Sequence, residues 1–150
     1  MGPFTSTITI VEREMTTAEL DLMNAGFNAN SLDNGNPIET SERHGFVAID
    51  GSQFIGCSSG LATKNGDAYN GWFYLTDLYV EKYYRRKGHG KTLLGRLEDK
   101  IRRLGIRNIW TWTAGYEAPG FYQKQGYDVF AEFNAWYATG HSRLGLRKRL

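Results

Sequence analysis

The segment Leu78-Tyr79-Val80-Glu81-Lys82-Tyr83-Tyr84-Arg85-Arg86-Lys87-Gly88-His89-Gly90-Lys91 constrains this chain more than any other. An apolar strand runs into a short basic turn with two glycines, and the turn runs into a helix start. A helix N-terminus carries unpaired N–H donors and the positive end of a dipole, so it favours an anion. Gly88 and Gly90 permit positive φ and close approach of a ligand to the backbone. Arg85, Arg86, Lys87 and Lys91 gather charge around the same point. Together these residues describe a cradle for a phosphorylated group, most readily a diphosphate. The spacing is not that of a Walker loop, which needs G-x-x-x-x-G-K-[ST]. It is not a Rossmann fingerprint either, since position 93 is Leu where a third glycine would stand.

The pattern around this segment predicts a mixed α/β domain spanning residues 1–150. Thr7–Val11 is β-branched and reads as a first strand. Thr16-Thr17-Ala18-Glu19 is a capping box, followed by Leu20, Met23 and Phe27 at helical spacing. The Asn-, Gly- and Asp-rich stretch 28–41 reads as irregular. Phe46–Ile49 and Phe54–Leu61 read as a hairpin through Asp50-Gly51. A loop with Asn65-Gly66 then leads to a strand over Trp72–Val80. After the glycine turn, Leu93, Leu94, Leu97, Ile101 and Leu104 share one helical face, and Gly105 ends the helix. A strand over Ile106–Thr113, a short helix over Glu117–Gln125, and strands over Tyr127–Phe133 and Ser142–Leu150 complete the order.

With 41% apolar and 23% charged residues, the composition is that of a soluble globular protein, and no apolar run reaches membrane-spanning length. Met1-Gly2-Pro3-Phe4 lacks the basic start and apolar core of a secretory signal, and Pro3 counts against acylation at Gly2. The single cysteine, Cys57, excludes an internal disulfide and points to a reducing compartment, by default the cytoplasm. A net charge of +2 gives no general drive toward nucleic acid, and the runs 85–91 and 147–149 are short. His44, His89 and His141 are too scattered for a metal site.

Two separated motifs resemble the GNAT superfamily of acyl-CoA N-acyltransferases. One is R-x-x-G-x-G, present as Arg85-Arg86-Lys87-Gly88-His89-Gly90. The other is A-x-x-[FL]-Y-x-x-x-G-[FY], present as Ala118-Pro119-Gly120-Phe121-Tyr122-Gln123-Lys124-Gln125-Gly126-Tyr127. The resemblance implies a central, mostly antiparallel sheet with two splayed strands, flanked by helices. It implies acetyl-CoA in the opening between those strands, with its pantetheine arm along Leu78, Tyr79 and Val80. The diphosphate would lie on Arg86, Lys87, Gly88, His89, Gly90 and Lys91, beside Arg85. The family often carries Asn seven residues before the motif tyrosine; this chain has Gly115 there.

Acetyl transfer to an amine needs a neutral amine, a donor for the developing oxyanion, and a proton or hydrogen bond for the departing thiolate. Tyr122 is the candidate proton donor to the thiolate, and a backbone N–H near Val80 is the candidate oxyanion donor. Asp77, which interrupts an apolar strand, is the candidate base, with Glu81, His141 or a water chain as alternatives. The implied function is an N-acetyltransferase acting on a primary amine of a small molecule by direct transfer in a ternary complex. That amine would be a polyamine, an amino acid derivative or an aminoglycoside-like antibiotic. A small cationic acceptor would use Asp33, Glu39, Glu42 and Asp77. Alternatives are a protein N-terminal or lysine acetyltransferase, and a non-catalytic acyl-CoA sensor. Trp136 and Tyr137, between the last two strands, are placed to close an acceptor pocket or a homodimer contact.

Overall fold

A computed structural model describes residues 6–117 and 119–150. The readings made on Met1-Gly2-Pro3-Phe4 and on Ala118 lie outside the described residues. The chain divides into two compact units, one ending at Ile38 and one running from Glu39 to Leu150.

In the first unit the capping box forms as expected. Glu19 N donates to Thr16 Oγ1 at 3.2 Å and Thr16 N donates to Glu19 Oε1 at 2.9 Å. They open α1, Thr17–Asp33, which runs on into the stretch expected to be irregular as far as Asp33; 34–38 is irregular and β1 begins at Glu39. Asn, Asp and Gly are weak helix formers, but none of them stops a helix as Pro does. The helix ends where Asn34 Nδ2 donates to the Asn30 carbonyl at 2.8 Å and Gly35 takes φ +78°. The strand expected over Thr7–Val11 does not form, because the described residues there have no partner strand. Ile8 and Ile10 remain 82% and 91% exposed. A β-branched run expresses its preference only on a pleated surface that has neighbours.

The second unit is a six-stranded sheet in the order β1-β2-β3-β4-β6-β5. Its strands are β1 Glu39–Asp50, β2 Gln53–Asn65, β3 Ala68–Val80, β4 Asn108–Ala114, β5 Asp128–Phe133 and β6 Arg143–Arg149. Between β3 and β4 lie a 3-10 turn, Lys82–Tyr84, and α2, His89–Arg103; α3, Pro119–Lys124, follows β4. The hairpins at Gly51 and Gly66 turn through positive φ, +61° and +67°, and their strands extend beyond the apolar cores that mark them in the sequence. All neighbours pair antiparallel except β3 and β4.

Helix α2 buries Leu93, Leu94, Leu97 and Ile101, the last three in one core with Phe73, Leu75, Ile106, Ile109, Tyr127 and Leu146. At roughly 1.5–3 kcal/mol per fully buried side chain, those four helix residues contribute about 6–12 kcal/mol of gross burial. Glu98, also buried, receives Lys148 Nζ at 2.9 Å and Tyr127 Oη at 3.0 Å, which ties α2 to β6. Burial pushes the Tyr127 phenol well above its ordinary range.

One feature of this sheet makes a cleft. The parallel strands pair only over Trp72–Tyr74 with Asn108–Trp110. One further link, Thr111 Oγ1 to the Leu75 carbonyl at 2.9 Å, closes the crotch. Beyond it the two strands run on to Val80 and Ala114 without pairing each other. On its other edge β3 carries a bulge at Thr76, where Ser59 faces Asp77 and Gly60 faces Leu75. Bulges of this kind bend a strand and re-aim its end.

Candidate active site

The splayed ends of β3 and β4 enclose a cleft of about 970 Å³. Leu78, Tyr79, Val80, Arg85 and Arg86 line one wall; Thr113, Tyr116 and Glu117 line the other, and Gly120, Phe121, Tyr122 and Lys124 of α3 close it. A smaller cavity of about 290 Å³ shares Val80, Arg85, Arg86 and Phe121 with it and adds Tyr84, Gly88, His89, Gly90, Lys91 and Gln125.

The turn into α2 is built to present amides. Arg86 sits at φ +62° and Gly88 at φ +84°. A non-glycine residue in that region costs about 1–2 kcal/mol, and alternation of hand along a loop turns successive N–H groups to one side. Gly88 caps α2 without a side-chain bond. The first helical amide to find a backbone acceptor is Thr92, bonded to the Gly88 carbonyl at 3.1 Å. Among the described residues the amides of 86–91 have no hydrogen-bond acceptor. Gly90 faces the smaller cavity: a Cβ there would stand 3.8 Å from Phe121 and from Val80 Cγ2, filling space that a ligand would use. The residues present therefore fit a diphosphate.

The basic side chains around the turn divide their work. Arg85 does not point only outward; its Nε donates to the Val80 carbonyl at 2.8 Å and fixes the end of β3. Arg86 lines both cavities and Lys91 lines the smaller one. Lys87 lies over the Tyr84 ring, 5.8 Å from its centroid. Tyr84 Oη donates to Asp50 Oδ2 at 2.6 Å, which staples the turn to the β1–β2 hairpin and raises the Tyr84 phenol pKa. His89 lies beside Tyr84 and lines the smaller cavity.

Tyr122, 7% exposed, reaches the cleft from α3. Its ring stands edge-on to Phe121 and Tyr127, both at 5.4 Å. Burial pushes its phenol up to about 12, against the pull of the Thr111 hydroxyl alongside it, and the Glu117 charge adds to the rise. The group therefore keeps its proton throughout the neutral range.

The other expected acid–base residues lie elsewhere. Asp77 is outside the cleft lining; its carboxylate is 58% exposed, accepts from Thr76 Oγ1 at 2.7 Å and faces Arg43 at 3.7 Å. Glu81 accepts from the Tyr83 amide at 2.9 Å and caps the 3-10 turn. Glu39 and Glu42 are on β1 and line no part of the cleft. Glu42 is held down to about 2 by the Tyr69 hydroxyl, with Lys64 and His44 assisting. Burial raises the Cys57 thiol pKa on β2. His141 Nδ1 lies 2.8 Å from Thr139 Oγ1, in the connection between β5 and β6. Asp33 ends α1. Among the described residues no group of three His, Cys, Asp or Glu converges, and no helix is long and apolar enough to cross a membrane.

The sequence did not single out Glu117, the carboxylate that lines the cleft, or Lys124. Glu117 Oε2 accepts from Thr113 Oγ1 at 3.5 Å, and its amide donates to the Ala114 carbonyl at 2.9 Å. The signal available was position, immediately after a β4 strand and beside the second glycine-containing motif. Gly115 has a structural reason: its N–H donates to the Ser142 carbonyl at 2.8 Å, and a Cβ would meet that same oxygen at 3.1 Å. The larger side chain usual in the family would press on the Ser142 carbonyl, which would have to give by a few tenths of an ångström.

Residues 41–129, which include both motif stretches, match the family model described as an acetyltransferase (GNAT) domain. The chain belongs to this family. An L-ornithine N5-acetyltransferase of Arabidopsis thaliana, NATA1, is 32% identical over 80 residues, 51% of this chain and 34% of that protein. The chain thus spans about a third of that relative's length. Among solved structures, a Bacillus cereus acetyltransferase superposes with a TM-score of 0.77 at 23% identity, over 95% of this chain and 98% of the other. Arabidopsis thaliana Naa50, solved with the bisubstrate analogue CoA-Ac-MVNAL, superposes with a TM-score of 0.61 at 20% identity, over 71% and 72%. The likeness in fold to the Bacillus cereus structure covers nearly the whole chain. The mixed sheet, its splayed strands and its flanking helices are those expected of a GNAT domain.

Proposed function

We propose that this chain is an acetyl-CoA-dependent N-acetyltransferase that acts on a primary amine of a small molecule, by direct transfer in a ternary complex. The observation that carries the reading is the cleft: unpaired ends of β3 and β4, unsatisfied amides at one end, and a buried protonated phenol in the wall. Family membership and the ornithine-acetylating relative support the same chemistry.

The amides of 86–91 with Arg86 and Lys91 would hold the diphosphate, and the free edge of Leu78, Tyr79 and Val80 would pair with the pantetheine. Bound there, acetyl-CoA would supply an activated acetyl group: an N–C bond would form as the thioester C–S bond breaks, the amine's proton passing to Glu117 or water and the sulfur leaving as a thiolate that takes its proton from solvent. Holding both reactants in one cleft supplies much of the acceleration, roughly 7–11 kcal/mol where alignment is good. No covalent nucleophile is needed.

Tyr122 works as a hydrogen-bond donor to the leaving sulfur. A thiol titrates near ~8.5, well below a phenol held at about 12, so full proton transfer from Tyr122 would run uphill. Its fixed O–H can still stabilise charge that develops on sulfur. Glu117 is the cleft carboxylate that can accept the amine's proton, directly or through water, and it takes that role in preference to Asp77, which lies outside the cleft lining. The single cysteine supports a reducing compartment, the cytoplasm.

Thiol release from acetyl-CoA, followed against a panel of small amines and short peptides, tests the reading. Turnover with at least one small primary amine is expected. Turnover confined to peptides would move the function to protein acetylation, and coenzyme A binding with no turnover at all would leave a sensor.

A further inference from the structure

Tyr116 belongs to two cavities at once. It lines the cleft and also, with Tyr137, Ala138, Thr139 and His141, a lobe of about 330 Å³. The rings of this lobe are set at right angles. Tyr116 meets Tyr137 at 5.2 Å and 75°, and His141 at 5.3 Å and 79°. The connection that carries them is pinned by its own bonds, Tyr137 N to the His141 carbonyl at 3.1 Å and Gly140 N to the Tyr137 carbonyl at 2.9 Å. Thr139 Oγ1, the aliphatic hydroxyl in the wall, is engaged with His141 Nδ1 at 2.8 Å.

The charges at hand are the wrong ones for a polycation. No carboxylate lines the lobe. In the adjoining cleft Glu117 is the one lining carboxylate among the described residues. A polyamine or an aminoglycoside would find no carboxylate in the lobe to pair with its ammonium groups. A planar or aliphatic body would instead lie against Tyr116, Tyr137 and His141, where rings stack and apolar surface leaves water.

We infer that this lobe receives the acetyl acceptor, and that it selects a primary amine carried on an aromatic or apolar body over polycationic amines. The inference rests on the acetyltransferase reading above. Because Tyr116 lines both cavities, an amine whose body lies in the lobe is next to the cleft that Glu117 and Tyr122 also line.

The test compares 2-phenylethylamine, L-ornithine and spermidine in the thiol-release assay at saturating acetyl-CoA. The kcat/KM for 2-phenylethylamine should exceed that for each of the others by about tenfold or more. Ala138→Phe, in an exposed connection, fills the lobe and should lower that kcat/KM about tenfold, with the coenzyme A-induced rise in Tm retained. Tyr137→Leu serves as a second variant with the same expected direction should Ala138→Phe fail to fold. A normal coenzyme A shift together with preference for spermidine or ornithine overturns the inference and leaves the acetyltransferase reading standing. So does an unchanged 2-phenylethylamine rate in a folded variant. No coenzyme A shift in the parent chain overturns both.

Discussion

Replacing Tyr122 with Phe removes one oxygen and little else. The ring stays wedged edge-on between Phe121 and Tyr127, both at 5.4 Å. Thr111 Oγ1 keeps its bond to the Leu75 carbonyl at 2.9 Å, so no buried hydroxyl is orphaned. The stability change should stay within about 1 kcal/mol, which for a chain of this size is about 2–4 °C in Tm. The kinetic effect is larger. A hydrogen bond to a charged partner is worth about 1.5–3 kcal/mol, or roughly 10–150-fold in rate. Because the bond matters only as charge builds on the sulfur, kcat should fall by that factor while the Kd for coenzyme A stays within about twofold. The phenol is held at about 12, so its ionisation should leave no step in the rate profile between pH 6 and 10. Steady-state kinetics on both proteins, with calorimetric titration of coenzyme A, separates the quantities. An unchanged kcat, or a fall matched by weaker cofactor binding, refutes the role.

Three further outcomes follow from the geometry. In Gly60→Ala the new Cβ would stand 2.2 Å from the Tyr74 carbonyl and 2.4 Å from Phe73; forcing β2 and β3 apart should cost about 3 kcal/mol and lower Tm by about 6–12 °C, read by calorimetry. Asp50→Ala releases Tyr84 and with it the 3-10 turn, so the Kd for coenzyme A should rise about 3–10-fold although Asp50 lines neither cavity. Glu42 has its carboxyl lowered from 4.5 to about 2, so it stabilises the fold above its unfolded value and loses that contribution as pH falls from about 4.5 toward 2. The Tm of Glu42→Gln should therefore be lower near neutrality and depend less on pH across that window.

The features carried by local spacing are those a reader of the residues could recover. Leu78–Lys91 contains strand, turn and helix start in one run, and α2 follows from Leu93, Leu94, Leu97 and Ile101 alone. The capping box at Thr16 and Glu19 likewise needs no tertiary information. What depends on register could not be read. Pairing of β3 with β4 stops after Tyr74 and Trp110, and nothing in either strand marks that point, yet the stop creates the cleft. Positive φ at Arg86 has no residue-type signal, since arginine rarely adopts it. Thr7–Val11 shows the reverse error, a β-branched run with no neighbour to pair with. Asp77 drew attention as a carboxylate in an apolar strand, but the Thr76 bulge and Arg43 leave it exposed. Glu117 became visible as a cleft residue only when β4 and α3 were placed around the same space.

The central claim is that the turn from 86 to 91 and the free edge of β3 receive coenzyme A. Backbone amide chemical shifts in a coenzyme A titration test it most directly. The account predicts saturable shifts with one site per chain, largest at the amides of 86–91 and present along Leu78, Tyr79 and Val80. Shifts concentrated elsewhere, or none at millimolar coenzyme A, would contradict it.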